Sequence, residues 1–505
     1  MWIIAISKAW VDFWTSGERL APLVMRMDET HTSCRYRQWS LTYAAALLAT
    51  VVLTSAVRGQ TEPRPILIDH VNILDGHGGS AVAGRVLITG ERIARILPED
   101  GPVAAGELTV IDGEGGYLLP GFIDMHAHLM QPRCSVDSGA SPRFDRSISE
   151  RMMSVLLDFG VTTVRSPATP TVEGLRLRDD LNAGRVPGPR AFASAELIND
   201  PKLTDEQLRS VVRDALPYRP DYFKVYARLS PQAVASVIDE AHKYGIPVIG
   251  HVGQTSWLEA ARLGIDHLAH TVDWSPKTLT SEARKRYFAA VRQDSIRSPF
   301  RARIDWLELL DLSSPEVSDM IAEVANRGIS VDLTLIAYDS KFAGPNGGRY
   351  AGNRFVQIVP ELYRDWTRCP DITSTGDWTA EDYRRWNAAY PKMQALVRMM
   401  RDAGVLLTTG TDLTNPWMIP GESLHAEFEL LVAAGLSPSE VLKMTGENAA
   451  RALRSRDVGV IEAGRLADLV LLGENPLDSI GNTRAIRWVM KGGQRVSYGP
   501  GQPPK

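Results

Sequence analysis

His126 and His128 stand two residues apart at the end of an apolar run, Gly121-Phe-Ile-Asp-Met125. In an extended segment alternate side chains share a side, so both imidazoles can grip one ion through neutral nitrogens. Alone, such a pair is weak, because histidines at that spacing are common on surfaces. The same placement then repeats. His251 follows Pro247-Val-Ile-Gly250, His270 follows Ile265-Asp-His-Leu-Ala269, and Asp412 closes Val405-Leu-Leu-Thr-Thr-Gly-Thr411. Four of the ten histidines in 505 residues thus sit at the ends of three apolar runs, with a carboxylate at the end of a fourth. Imidazoles plus a carboxylate suit a hard or borderline divalent ion. Lys224, inside Tyr222-Phe-Lys-Val-Tyr226, is less obvious. A buried ammonium is costly unless paired or chemically altered. Reaction with carbon dioxide would make it an anionic carbamate able to bridge two metals; the plainer alternative is a strand-end lysine that finds a carboxylate or solvent.

These residues need an architecture that gathers strand ends. Between Tyr222 and Leu268 the pattern is strand, helix, strand, helix, strand: Ser230 caps a helix with Pro231 at its first position and Gly245 beyond its end, and Ser256 with Glu259 forms a capping box. Short connections between such units predict a parallel sheet. Further strands are expected at Gly121–Met125, Val161–Val164, Ala191–Ser194, Val331–Leu335 and Val405–Thr408. Eight in all predict an α/β fold, a (β/α)8 TIM-type barrel whose strand C-termini converge on one face. An open doubly wound sheet is the alternative, but no glycine fingerprint follows the first strand. The stretch from Leu335 to a helix near Thr379 is too long for a short loop and is expected to lie over that face as a lid.

Both ends of the chain are β-rich. Strands are expected at Ile66–Ile73, Arg85–Ile88, Leu108–Asp112 and Gly116–Leu119, and again at Ala467–Leu472, Ile486–Met490 and Arg495–Ser497. They predict a small β-sandwich domain assembled from both chain ends. The expected division is an N-terminal extension over residues 1–60, sandwich halves at 61–120 and 459–505 (the latter with a C-terminal tail), and the barrel at 121–458.

A net charge of −4 with scattered basic residues speaks against a nucleic-acid partner. Residues 41–57 form an apolar run after Arg35 and Arg37, followed by small residues through Ala56. That order predicts a secretory signal, hence a periplasmic or secreted protein, with an uncleaved membrane anchor as the alternative. The preceding stretch is long for a leader, which fits a true start at Met25 or Met27, or a genuine extension. Cys134 and Cys369 are compatible with one disulfide in an oxidising compartment.

Pro120-Gly-Phe-Ile-Asp-Met-His-Ala-His-Leu129 resembles the opening motif of the amidohydrolase superfamily, in particular members related to imidazolonepropionase and metal-dependent Xaa-Pro dipeptidases. Phe159-Gly-Val-Thr-Thr-Val-Arg165 resembles their second-strand segment, with Ser166 where an aspartate is often found. Phe223-Lys-Val-Tyr226, Gly250-His251, Asp266-His-Leu-Ala-His270 and Thr409-Gly-Thr-Asp412 resemble the later site strands, and Gly459 to Val470 the return to the small domain. The resemblance implies that His126, His128, carboxylated Lys224, His251 and His270 hold two divalent ions, most simply zinc, with one ion as the alternative. Asp412 would contact a metal and shuttle the proton. It also implies that His267 is not a ligand but faces the barrel wall or supports the site from behind the ligands. Tyr226 is a candidate oxyanion donor, or with Arg228 a binder of a substrate carboxylate. Arg165 is either an interior ion-pair partner or a substrate contact, and His425 supports the site from outside it. The expected reaction is hydrolysis of an amide or peptide C–N bond in a small molecule such as an acyl amino acid or Xaa-Pro dipeptide. Opening of a cyclic amide or imidazolone ring is the alternative, and a non-catalytic periplasmic metal-binding protein is a third possibility that the intact ligand set argues against. Oligomerisation is compatible with the sequence.

Overall fold

The computed structural model describes residues 64–102, 106–130, 144–293, 299–368 and 378–500. The apolar run at 41–57 and both Cys134 and Cys369 lie outside them. Among the described residues no helix is long and apolar enough to cross a membrane.

In chain order, the N-terminal strands are β1 (Ile66–Ile73), β2 (Val82–Thr89), β3 (Arg92–Pro98) and β4 (Thr109–Pro120). The middle strands are β5 (Phe122–Asp124), β6 (Val161–Ser166), β7 (Arg190–Ala193), β8 (Phe223–Tyr226), β9 (Val248–His251), β10 (His267–Ala269), β11 (Ser330–Leu333) and β12 (Leu406–Thr409). The last are β13 (Leu469–Leu472), β14 (Ile486–Lys491) and β15 (Gln494–Ser497).

Strands from both ends share one seven-stranded sheet, ordered β15-β14-β13-β4-β1-β2-β3. The join is β13 against β4, antiparallel, with Leu469 opposite Pro120 and Leu472 opposite Tyr117. The apolar run of β13 is buried on both sides: Leu469 and Leu471 join Ile68, Val86 and Trp488, while Val470 and Leu472 enter the main core. The two strands expected at Leu108–Asp112 and Gly116–Leu119 are instead one. Asp112 lies opposite Asp69 and Gly116 opposite Val71, so the residues between bulge from the ladder and the strand continues. A side chain at Gly113 would meet the Val71 methyl at 2.2 Å, and Glu114 and Gly115 both take positive φ. The turn residues therefore mark a bulge, not a hairpin.

The middle strands are all parallel, in a five-stranded ladder β12-β11-β10-β9-β8 and a three-stranded ladder β5-β6-β7. Isolated parallel bridges link Ser194 to Tyr222 and Ile198 to Val225 on one side, and Ala127 to Leu413 on the other. Period-two alternation then decides what faces inward. Phe223 and Val225 of β8, and Val331 and Leu333 of β11, pack into the main core with the helices. Lys224 and Asp332 are thereby turned to the opposite side. Both helix caps at Ser230 and Ser256 form as expected, the second as a full capping box.

Two intervals differ from expectation. After β10 the chain inserts helices Ser281–Gln293 and Pro299–Leu309 before the helix Pro315–Asn326 that leads to β11. After β11, Leu335 is not strand but the first residue of the helix Leu335–Phe342, and another helix covers Pro360–Arg368. The expected loop is thus largely helical. Phe342 stacks on Trp378 at 4.9 Å and packs on Trp386 at 4.6 Å, which anchors it to the helix capped by Thr379.

Candidate metal centre

The two histidines that follow β5 meet Asp412. Nε2 of His126 and Nε2 of His128 each lie 3.4 Å from Oδ1 of Asp412. Their ligand atoms all fall within 4.8 Å of one another, a grouping that could hold one ion. Asp412 is brought there by backbone: its N–H donates to the His126 carbonyl at 2.6 Å, and its φ is +62°. The preceding Gly410 leaves no room for more, since a Cβ there would lie 2.8 Å from that of His126. His270 also has positive φ, and its N–H donates to the Asp332 carbonyl at 2.9 Å. Left-handed backbone at two such residues is a cost the surrounding ladders must hold.

The second pair adjoins the first. The rings of His126 and His270 are 4.7 Å apart, and His270 Nε2 faces His251 Nδ1 at 2.7 Å. Lys224 is 2% exposed on the same inward face. Burial lowers its ammonium to about 8, although the charges of Asp332 and Asp412 pull the other way. Burial likewise holds His126, His251 and His270 well below the ordinary imidazole value, and Lys224 adds to the effect on each. They are neutral, as ligands must be. Burial would raise Asp412, but the imidazoles of His128, His126 and His270 packed around it hold it well below the usual carboxylate range.

Two residues that sequence reasoning missed orient this set. Asp332 accepts a hydrogen bond from His126 Nδ1 and, on its other oxygen, one from Arg165 at 2.7 Å. Asp124 accepts from the His126 amide at 3.0 Å and from the Thr411 hydroxyl at 2.7 Å, tying β5 to the Asp412 turn. The signal was present for Asp332: an acid inside an apolar strand, the same anomaly that drew attention to Lys224. The remaining Nδ1 atoms are also engaged, His128 with the Ala168 carbonyl at 3.0 Å and His270 with the Thr334 hydroxyl at 2.8 Å. Three imidazoles therefore keep Nε2 for the site, the arrangement that outer hydrogen bonds impose on metal-binding histidines. This donor set fits a divalent ion of the zinc type.

The other candidates separate. Arg165 is fully buried and serves Asp332 and the Met125 carbonyl. Tyr226 packs its ring 4.2 Å from that of His251, and burial keeps its hydroxyl protonated. Arg228 is exposed, with its amide held by Asn199. His267 bonds Ser330 through Nδ1, and its buried Nε2 has no partner among the described residues. His425 spends both nitrogens away from the centre, on Thr483 at 2.8 Å and the Phe159 carbonyl at 3.0 Å.

The sequence profile of the amidohydrolase family matches residues 117–288 and 355–496, spanning every histidine of the site and Asp412. The chain belongs to the amidohydrolase family. An imidazolonepropionase of Shouchella clausii (strain KSM-K16) is 38% identical over 110 residues, covering 21% of this chain and 24% of that protein. The chain spans only 12% to 24% of the length of such curated relatives. Among solved structures, a putative prolidase from Bifidobacterium longum aligns over 87% of this chain and 96% of its own, with 22% identity and a TM-score of 0.61. A prolidase complexed with N-methylphosphonate-L-proline aligns over 85% and 99%, with 20% identity and a TM-score of 0.61. These likenesses establish the fold that the amidohydrolase shares with them.

Proposed function

We propose that this amidohydrolase cleaves an amide or peptide bond in a small molecule, with His126, His128, His251, His270, Asp412 and a carboxylated Lys224 holding two divalent ions. The observation that carries it is the convergence of His126 and His128 on Asp412 beside the His251–His270 pair. A lysine lowered to about 8 has an appreciable neutral amine fraction near neutral pH, the form that reacts with carbon dioxide, which favours the carbamate. Without it, the first cluster supports a single ion.

A bound divalent ion supplies Lewis acidity and an activated water near neutral pH. Asp412, ionised between His126 and His128, takes the proton of the attacking water and returns it to the leaving nitrogen. Asp332 fixes the His126 ring, and Arg165 fixes Asp332. Tyr226, protonated beside His251, is placed to donate to the developing oxyanion.

Opening of a cyclic amide is the second reading, favoured by the local identity to imidazolonepropionase. We further assign the eight parallel strands to one (β/α)8 barrel over residues 121–458, supported by the bridges at both seams, and the terminal sheet to a small sandwich built from 61–120 and 459–505. Export through residues 41–57 remains part of this proposal on sequence grounds.

The test is hydrolysis by metal-reconstituted enzyme of acyl amino acids, Xaa-Pro dipeptides and cyclic amides, with Asp412→Asn alongside. Wild type should turn over a linear class, and the variant should keep most metal while losing about 100-fold or more in kcat. Metal loading without turnover of any class would return the protein to a binding role.

A further inference from the structure

Two cations stand beside the centre, neither in an ion pair with a carboxylate among the described residues. Arg303, on the inserted helix Pro299–Leu309, places its guanidinium 5.1 Å from the Trp274 ring and 4.7 Å from Phe300. Lys341, on the helix after β11, brings its ammonium within 5.8 Å of the same Phe300 ring and is 8% exposed. Its hydrogen bond goes to the neutral side-chain oxygen of Asn415. Among the described residues neither cation has a carboxylate within ion-pair distance.

Both belong to the rim of the metal centre. Asn415, the partner of Lys341, donates from its side chain to the Asp412 carbonyl at 2.8 Å. Trp274, under Arg303, donates to the Tyr338 hydroxyl at 3.1 Å, and the Tyr338 ring is 6.2 Å from His270. The charge of Arg303 acts on Tyr226, His251 and Tyr338, and that of Asp412 on Lys341.

Cation–π contact returns about 1 kcal/mol, less than the cost of burying an unpaired ammonium, and two like charges on one ring add repulsion. Covering the aromatics would need neither charge, since a neutral side chain would do it at lower cost. Both cations also arise from segments that follow β10 and β11, the strand ends where this architecture gathers substrate contacts.

We propose that Arg303 and Lys341 form a seat for a free carboxylate of the substrate, flanked by the apolar faces of Trp274, Phe300 and Tyr338. The substrate class is then an amide bearing a carboxylate, such as an N-acyl amino acid or a dipeptide with a free C-terminus. This rests on the hydrolase reading above, and its test separates the two.

Pairs of N-acyl amino acids and Xaa-Pro dipeptides with their terminal carboxamides are compared in the metal-loaded full-length enzyme, by kcat/KM and by calorimetric binding. The free acid should be preferred about 30-fold or more, chiefly through KM, as expected for a charge-assisted contact. In Arg303→Met and in Lys341→Met that ratio should fall several-fold, while Arg303→Lys should recover part of it. Equal rates and equal binding of acid and carboxamide in the wild type would overturn the seat. So would a preference that both methionine variants retain. If nothing is hydrolysed but the acid binds more tightly, and does so only with Arg303 present, the hydrolase reading falls and the seat stands.

Discussion

Asp332 is the residue on which the orientation of the centre turns. It is wholly buried, yet both oxygens are used, one by His126 Nδ1 and one by Arg165. Burial raises its carboxyl, and Arg165 and Lys224 counter that. Replacing it by asparagine keeps the volume but removes the charge that stabilises the His126 Nδ1–H tautomer and leaves Arg165 unanswered in the interior. Asp332→Asn should weaken metal affinity by about 10- to 100-fold. Titration of the apo-protein with zinc against a competing chelator measures this, and an unchanged affinity would remove Asp332 from that role. The histidines and Asp412 were legible in the sequence because each ends an apolar run. Asp332 and Asp124 were not singled out, because their work is done across strands: residue 332 serves residues 126 and 165, and residue 124 serves residue 411. Such pairings follow from the order of strands in a sheet, which local patterning does not specify.

At the scale of elements, the helix Leu335–Phe342 begins at the end of β11 and carries both Tyr338 and Lys341 to the centre. Its first amides are held from another helix: Glu427, in Glu422–Ala433, accepts from Leu335 at 3.1 Å and Ile336 at 2.7 Å. Burial outweighs those two donors and raises the Glu427 carboxyl to about 8. Since this folded-state value lies above the unfolded one, the stabilising contribution is complete below about pH 4.5 and is lost as pH rises toward 8. The wild-type urea midpoint should therefore fall between pH 5 and pH 8.5, with this group contributing on the order of 4 kcal/mol. In Glu427→Gln that part of the fall should vanish. An identical pH dependence in both proteins would show that Glu427 does not titrate in this window. Capping signals at Ser230 and Ser256 predicted their helices because a cap and its helix are adjacent in sequence. The start at Leu335 escaped notice because its cap is supplied from residue 427, and β-formers continue across the boundary. The bulge in β4 shows the converse. Glycine and acidic residues mark a break in local geometry, but the neighbouring strand decides whether the chain reverses or continues.

At the scale of the whole molecule, a sheet sewn from both chain ends makes the termini depend on the middle. Asp468 lies at that seam with its side chain 3% exposed. Its backbone carbonyl accepts from Gly121 at 2.8 Å, where β4 passes into β5. Its carboxylate accepts from Arg190 of β7 at 2.7 Å and from the Gly492 amide at 2.6 Å, in the turn between β14 and β15. One residue thus ties the terminal sheet to the parallel strands twice, through its carbonyl to Gly121 and through its carboxylate to Arg190. Asp468→Ala would leave Arg190 and an amide without their acceptor, a loss of about 3 kcal/mol. Because Val470 and Leu472 of the same strand are buried in the main core, the loss should not stay local. Urea unfolding followed by circular dichroism and by tryptophan fluorescence should give coincident transitions in the wild type. In the variant both should move together to lower urea. A sheet that melts first, leaving the second probe at its wild-type midpoint, would show that the two-ended sheet is energetically separate from the strands that carry the site.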